Sequence, residues 1–539
     1  MGFLQSWTAS VCTHLLWFLT VTNPATTLGQ DGLLECLGTS HIATVPPGSP
    51  DFPQDSLAFN RRLQYTPAAI VFPTSAQEVS AAVLCAAGAG IHVAARSGGH
   101  NYGAFSLGGQ NGSLVVDLSK MNKIVVNANG IASFQTGNRL GDVALTLFDN
   151  GERAMAHGTC PHVGSGGHAG CGGFGFASRM WGLLIDQVES AEVVLANGSI
   201  VQTSTSINSD LFWAIRGASP SFGIVTEYRM KTHAAPSENV IFTYTYLVDP
   251  AAATKIFTEF QSFSKSLAPP ELGLQVSVRH YFQRGVVHMN LTGVYYGDVE
   301  HFHDVFDPLL SNLSAMHINH GYENVTTYAW VPSLIQLSEV GTLNTSSPIL
   351  KGSHDTFFAK SLMVYEDALL KDEAIQSFFD YASLEGVHTL TSWFVLVDLF
   401  GGKGSAITAV ANNATAYSQR KGLYNFQMYA RSPNHQPPFP TDGLAFVNNM
   451  LGSITGRMPS EWPFGAFTCY TDPTLEPKQW QSQYYGENFS KLTTLHFKYD
   501  NNSLFNYPQG IPNSPLPNSL QPDLNMDLFN PTVQKFLNV

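Results

Sequence analysis

The sequence predicts an α+β protein. Its character changes along the chain, from α/β alternation at the N-terminal side, through long alternating segments interspersed with helices, back to a helix near the C-terminal side. Three observations carry this. From Ala68 to Val116 short apolar strands alternate with an Ala-rich helix; from about Val240 to Thr468 long period-2 segments take over; after Trp480 the chain returns to a helix and a closing turn. At 539 residues and 44% hydrophobic, the chain can bury more than one core. Charged residues make up only 12%, beside 47 Gly, 35 Phe and 20 Tyr, a balance that fits a large β-rich extracellular protein. A net charge of −13 without a basic run argues against nucleic acid or an anionic membrane as partner.

Taken in order, the N-terminus holds an apolar stretch from Val11 to Val21, too short to span a bilayer. Residues 1–29 are expected to be a signal peptide, cleaved between Ala25 and Gln30. Sequons at Asn111, Asn197, Asn290, Asn312, Asn324, Asn344, Asn413, Asn488 and Asn501 fit a secreted, extracellular glycoprotein.

A strand AAIVF stops at Pro73, Thr74 to Glu78 cap a helix over 76–88, and IHVAARS and SLVVDLS read as strands either side of a glycine loop. A second α/β stretch carries a helix near 140–149. The glycine-rich segment 158–182 follows, then strands over 188–201, a short helix DLFWAIRG and the strand GIVTEYRMKTH. The inserted region shows alternating segments VIFTYTYLV, LGLQVSVRHYF, VVHMNLTGVYYG, SWFVLVDLF and LYNFQMYAR, interspersed with helices such as 251–266. The expected domains are 30–238, 239–468 and 469–510, with 511–539 a Pro/Asn-rich tail.

Six cysteines are present, with Cys12 inside the expected signal peptide. Cys36 and Cys85 are the natural disulfide, pinning the N-terminal arm to the first helix. The mature chain then has an odd number, which asks for a free thiol, an intermolecular bridge or a bond to something else. Cys160 sits in a loop of small residues, between Gly158-Thr159 and Pro161-His162. His100 sits in another, Arg96-Ser97-Gly98-Gly99-His100-Asn101-Tyr102-Gly103. Glycines let backbone N–H groups approach a phosphate or a flat ring. Neither loop is a dinucleotide G-x-G-x-x-G fingerprint, but an imidazole and a thiol are two nucleophiles able to attach to an activated flavin ring.

The segments RSGGHNYGAFS and GTCPHVGSGGHAGCGGFGFASRMWGLLIDQV resemble the FAD-binding loops of the berberine-bridge-enzyme-like branch of the vanillyl-alcohol oxidase superfamily. DLFWAIRGASPSFGIVTEY and YYGENFSKLTTLHFKYDNNSLFNYPQG resemble later motifs of that branch, so the likeness runs from about Gln64 to Gly510. It implies a two-part FAD-binding domain, split between the N- and C-terminal ends of the chain, around an inserted substrate domain built on a large antiparallel sheet backed by helices. It also implies an FAD held by two covalent bonds, from His100 to the 8α-methyl and from Cys160 to C6. Around the cofactor it places Arg96, Ser97, Gly98, Gly99, Asn101, Gly103, Thr159, Val163, Gly164, Gly167, His168, Gly170, Gly173, Gly223, Ile224, Val225, Tyr507 and Gln509. A small Val163 goes with oxidase behaviour in this family. The sequence departs from the family at Cys171, in a glycine run, and at Ser219-Pro220-Ser221.

Hydride removal from a C–OH carbon needs a base for the hydroxyl proton. The resemblance points to Tyr470 as that base, helped by Asp398, with Tyr102 near the ring edge or substrate. An unperturbed phenol titrates near ~10, so Tyr470 needs that help near neutrality. Gln427 stands where the alkaloid-cyclising relatives have a glutamate base. A neutral amide cannot be that base but can bind a sugar hydroxyl. Gln275, Ser277 and Arg279 share one strand face and are candidate sugar contacts; Leu396 lies where sugar oxidases are more polar. The resemblance is strongest to gluco- and chito-oligosaccharide oxidases. It implies oxidation of the reducing-end C1 to a lactone, with O2 reduced to hydrogen peroxide, and no metal. The alternatives are an oxidase of aromatic or alkaloid-like alcohols and a flavoprotein kept for binding.

Overall fold

The structure, a computed structural model, describes residues 24–338, 340–347 and 354–513. Most of the expected signal peptide and of the C-terminal tail lies outside the described residues. No helix among the described residues is long and apolar enough to cross a membrane.

The N-terminal part opens with helix Pro24–Thr39, tied by the Cys36–Cys85 disulfide to helix Ala76–Ala89. The second helix starts where the capping residues say it should. Ser75 Oγ accepts from the Glu78 amide, and the Glu78 carboxylate accepts from Thr74 N and Oγ1. It ends at Gly90, whose φ of +68° suits glycine. Beneath it lies a four-stranded sheet in the order Thr44–Val45, Ala69–Val71, Leu114–Asp117, Val93–Arg96; the last three are parallel. A second sheet is antiparallel throughout, in the order Ile124–Val126, Ile131–Gln135, Ile224–Lys231, Val188–Val194, Ile200–Ser204. Helix Phe489–Tyr499 completes this body from the C-terminal side, where Lys498 and Tyr499 bind Asp210 of helix Ser209–Ala218. The chain stays packed through the last described residues, with Ile511 buried and Asn513 hydrogen-bonded to His496.

The inserted region forms an eight-stranded antiparallel sheet. Its order is Tyr322–Tyr328, Asn239–Val248, Val287–Tyr295, Leu272–Arg279, Ser392–Leu399, Gly422–Arg431, Phe357–Tyr365, Phe464–Gly465. Alternation sends Trp393, Val395, Val397 and Leu399 to one face, where helices Pro250–Ser266, Val299–Ala315, Asp372–Leu384 and Gly443–Thr455 cover them in one apolar core. The opposite face carries Phe394, Leu396, Asp398, Gln275 and Gln427 toward the first body. Strand Phe357–Tyr365 went unread in the sequence because it is buried on both faces and lacks alternation.

The glycine-rich segment yields two short helices, Ser165–Gly170 and Ser178–Trp181. Arg179 on the second is fully buried and donates to the carbonyls of Ala268, Pro269, Leu272, Gly401 and Lys403 in the inserted domain. One of the nine sequons is corrected here. Asn488 is buried and its amide donates to the carbonyls of Asn412 and Thr415, leaving no room for a glycan.

Candidate functional site

Between the two glycine loops, the second sheet and the open face of the eight-stranded sheet lies a cavity of about 490 Å³. The glycines are there because the loops touch. A Cβ on Gly98 would lie 2.2 Å from the Gly164 amide, and one on Gly164 would lie 2.0 Å from the Gly98 amide. Gly99, with φ +73°, turns the loop. Arg139 staples the pair, its Nη1 donating to the carbonyls of Gly98 at 2.6 Å and His162 at 2.9 Å. The amides of Gly98, Gly99, His100 and Asn101 donate to no protein acceptor among the described residues. They line the cavity and stay free for an anionic or flat ligand.

Both proposed nucleophiles face this cavity. His100 stacks on Phe59 at 4.1 Å between ring centroids, and burial, with Arg139 and two further histidines, holds its pKa well below the usual value. It is therefore a neutral imidazole, the nucleophilic form. Cys160 is the one unpaired cysteine among the described residues. It is exposed and lines the cavity; the surrounding protein still desolvates its thiol enough to push its pKa up, and the His162 and Val163 amides and Arg139 pull it down.

At the other end Tyr470 lies five residues beyond the last edge strand, in an irregular turn. Its ring stacks on Tyr102 at 5.6 Å and 11°. Tyr102 Oη accepts from Gln427 Nε2 at 2.6 Å. Asp398 accepts from Gln275 Nε2 at 2.7 Å, and the two residues are direct cross-strand partners. Burial pushes Asp398 up to about 6, against the lowering effect of that hydrogen bond. Burial first, then the Asp398 charge and Tyr102, hold the Tyr470 phenol well above its ordinary value. The resting phenol is thus protonated, and the buried Asp398 carboxylate that acts on it electrostatically lines the same cavity.

Most sequence-predicted residues meet here. Ser97, Gly98, Gly99, His100, Asn101, Tyr102, Thr159, Cys160, Val163, Gly164, Gly167, His168, Gly170, Gly223, Val225, Tyr507 and Gln509 line the cavity with Gln275, Leu396, Asp398, Gln427 and Tyr470. Six do not. Arg96 is buried in an ion pair with Asp117; Gly103 packs on the Phe105 ring; Gly173 backs onto Leu184; Ile224 points into the core under the first sheet. Ser277 accepts a 2.9 Å hydrogen bond from Asn290, and exposed Arg279 lies further along the strand. The two departures from the family pattern are also placed. Ser221 Oγ donates to Tyr507 Oη and accepts from the Ile511 amide. Cys171 forms a disulfide with Cys469, so neither is the free thiol left open by the sequence.

Sequence reasoning missed Phe59 and Arg139, and the buried pair of Lys360 with Asp472 at 2.5 Å. Only Arg139, a lone cation among small residues, gave a signal. Gln509 offers one more sign of a ligand. Its Nε2 donates to the Asp472 carbonyl, while its buried Oε1 has no partner among the described residues.

Residues 67–204 match a family model described as FAD binding domain, and 466–512 match one described as berberine and berberine like. The chain is 34% identical over 482 residues to a chitooligosaccharide oxidase of Gibberella zeae, covering 89% of this chain and 94% of that protein. The solved xylooligosaccharide oxidase of Myceliophthora thermophila in complex with xylobiose superposes with a TM-score of 0.82 at 34% identity, over 90% of this chain and 100% of the other. The glucooligosaccharide oxidase of Acremonium strictum, solved to define the roles of its 6-S-cysteinyl, 8α-N1-histidyl FAD, gives 0.82 at 32% identity, over 89% and 99%.

Proposed function

Because this chain belongs to the berberine-bridge-enzyme-like family of FAD-linked oxidases, we propose that it is a secreted oxidase of oligosaccharides, acting at the reducing-end C1 hydroxyl. The observation that carries this reading is the Tyr470–Asp398 pair facing the same cavity as His100 and Cys160. FAD bound there supplies the hydride acceptor and, with oxygen as oxidant, the route to hydrogen peroxide.

His100 and Cys160 would hold the cofactor covalently, in the way of the histidyl and cysteinyl links that the glucooligosaccharide oxidase carries. The free amides of the first loop and Gln509 Oε1 hold its polar parts. Tyr470 takes the C1 hydroxyl proton as its own phenol proton passes to the Asp398 carboxylate, while the C1 hydrogen leaves as hydride and the sugar becomes a lactone. Gln275 keeps Asp398 ionised, and Gln427 and Tyr102 orient the hydroxyls. Val163, beside the Cys160 attachment, leaves oxygen room to approach. Two disulfides and the exposed sequons, such as Asn111 and Asn501, support an extracellular setting.

A second reading, oxidation of an aromatic or alkaloid-like alcohol, is favoured by one feature. Leu396 shares the cavity wall, and beyond it Phe394, Tyr429 and Phe357 stack at 4.8 and 4.5 Å. A peroxide assay across cello-, chito-, malto- and xylo-oligosaccharides and aromatic alcohols separates the two. Peroxide with a sugar series is expected; peroxide with aromatic alcohols alone would replace the sugar reading by the second.

A further inference from the structure

The turn that carries Tyr470 has no regular secondary structure of its own. Strand Phe464–Gly465 ends five residues earlier, and within the turn the Tyr470 amide donates to the Phe467 carbonyl and Thr471 Oγ1 to Thr468. A base on such a segment is only as well placed as its outside attachments allow. These come from distant parts of the chain. Asn101 donates to Thr471 at 3.2 Å, Lys360 pairs with Asp472, and Thr468 Oγ1 donates to the Cys171 carbonyl at 2.8 Å. The strongest is covalent. Cys469, the residue before Tyr470, is bonded to Cys171 across 298 residues of sequence, and both cysteines border the cofactor cavity.

Cys171 lies eleven residues after Cys160, in the same glycine-rich loop. One end of that loop carries the proposed attachment to the flavin, and the other end is cross-linked to the tyrosine turn. We infer that the Cys171–Cys469 disulfide is a positioning element for the reaction, fixing Tyr470 against the cofactor by a continuous covalent path that runs through the Cys160 loop. This rests on the proposed roles of Tyr470 and Cys160. Without the disulfide, the turn keeps its hydrogen bonds and Lys360 pair but loses its only covalent tie to the flavin side. A displacement of about 1 Å at a reacting group costs on the order of 10²-fold in rate.

The test is Cys171→Ala/Cys469→Ala, with anaerobic flavin reduction followed on the best alcohol substrate of the peroxide screen. The rate constant for reduction should fall by roughly ten- to a hundredfold. The acid limb of its pH profile, set near 6 by Asp398, should move. FAD should remain on the denatured chain. Cys36→Ala/Cys85→Ala, which removes the other disulfide, should lower Tm and leave both readouts alone. Should the first variant not fold, a phosphine reductant is added to the second, in which Cys171–Cys469 is the one disulfide left among the described residues; flavin reduction should slow and recover on reoxidation. An unchanged rate and pH limb in either arm overturns the inference. Tyr470→Phe, run in parallel, separates the two levels. If it stays active, the base reading itself has failed; if it is inactive while the disulfide variant behaves as wild type, only the positioning role has.

Discussion

The two faces of the eight-stranded sheet do different work with the same backbone. On strand Ser392–Leu399, Val395 and Val397 are fully buried under the helices, in a core that runs through Phe426 and Met428 of the neighbouring strand. One residue over, Leu396, Asp398 and Gln427 face the cavity. The helix-side face gains stability from apolar area. The cavity-side face gives some of that up: it keeps a carboxylate buried enough to titrate near 6 and an amide spent on one phenol. The difference shows how an antiparallel sheet can separate stability from chemistry at single-residue spacing.

Substitutions that respect or violate this division should part accordingly. The largest effect should come from Tyr470→Phe. Turnover should drop by about 10²–10⁴-fold, the range for loss of a general base, with the protein still yellow and equally stable by thermal melting. Met428→Ala should do the reverse, costing roughly 2–5 kcal/mol in denaturant titration while kcat per folded molecule holds. A kcat loss at Met428 would mean that the faces are coupled.

Asp398 sharpens the contrast through pH. Its folded pKa, raised to about 6 from an ordinary 3.8, means that it binds its proton more tightly in the folded chain. Stability from this site is therefore complete below the ordinary value and lost as pH rises through about 6. In the proposed mechanism activity runs the other way, since there only the carboxylate accepts the phenol proton, and it should fall as pH drops through the same value. Asp398→Asn should remove this contribution to the pH dependence of Tm and most of the turnover. Gln275→Leu, which deletes the hydrogen bond that lowers the Asp398 pKa, should shift the acid limb of kcat to higher pH. The smallest effect belongs to Ser277→Ala. It should cost about 1 kcal/mol or less, for one hydrogen bond to Asn290, with kcat unchanged.

Much of this was legible in the sequence where local chemistry decides the outcome. The capping residues Thr74, Ser75 and Glu78, the alternation of Ser392 to Leu399 and the glycine-flanked His100 and Cys160 each carry their own signal. What stayed hidden depends on long-range packing. Phe357–Tyr365 has no period because both its faces are buried, and its Lys360 is admitted only by Asp472, over a hundred residues away. Ser277 and Arg279 share a strand face with Gln275, but the period-2 rule gives the face and not how far along it the cavity reaches. Asn488 satisfies the sequon pattern, and only its buried neighbours show its amide to be occupied. Cys171 and Cys469 could not be paired by spacing when 298 residues separate them.

Arg179 has a consequence for how the two domains are held together. Five carbonyls of the inserted domain converge on this one guanidinium, and burial lowers its pKa only to about 10, so it stays charged. Swinging the domains apart would strip those acceptors from a cation, each charge-assisted bond contributing about 1.5–3 kcal/mol. Separation of the two domains at this point therefore carries the cost of those bonds. One side chain of the glycine-rich segment thus acts as a rivet, holding the edge of the cavity to the inserted sheet.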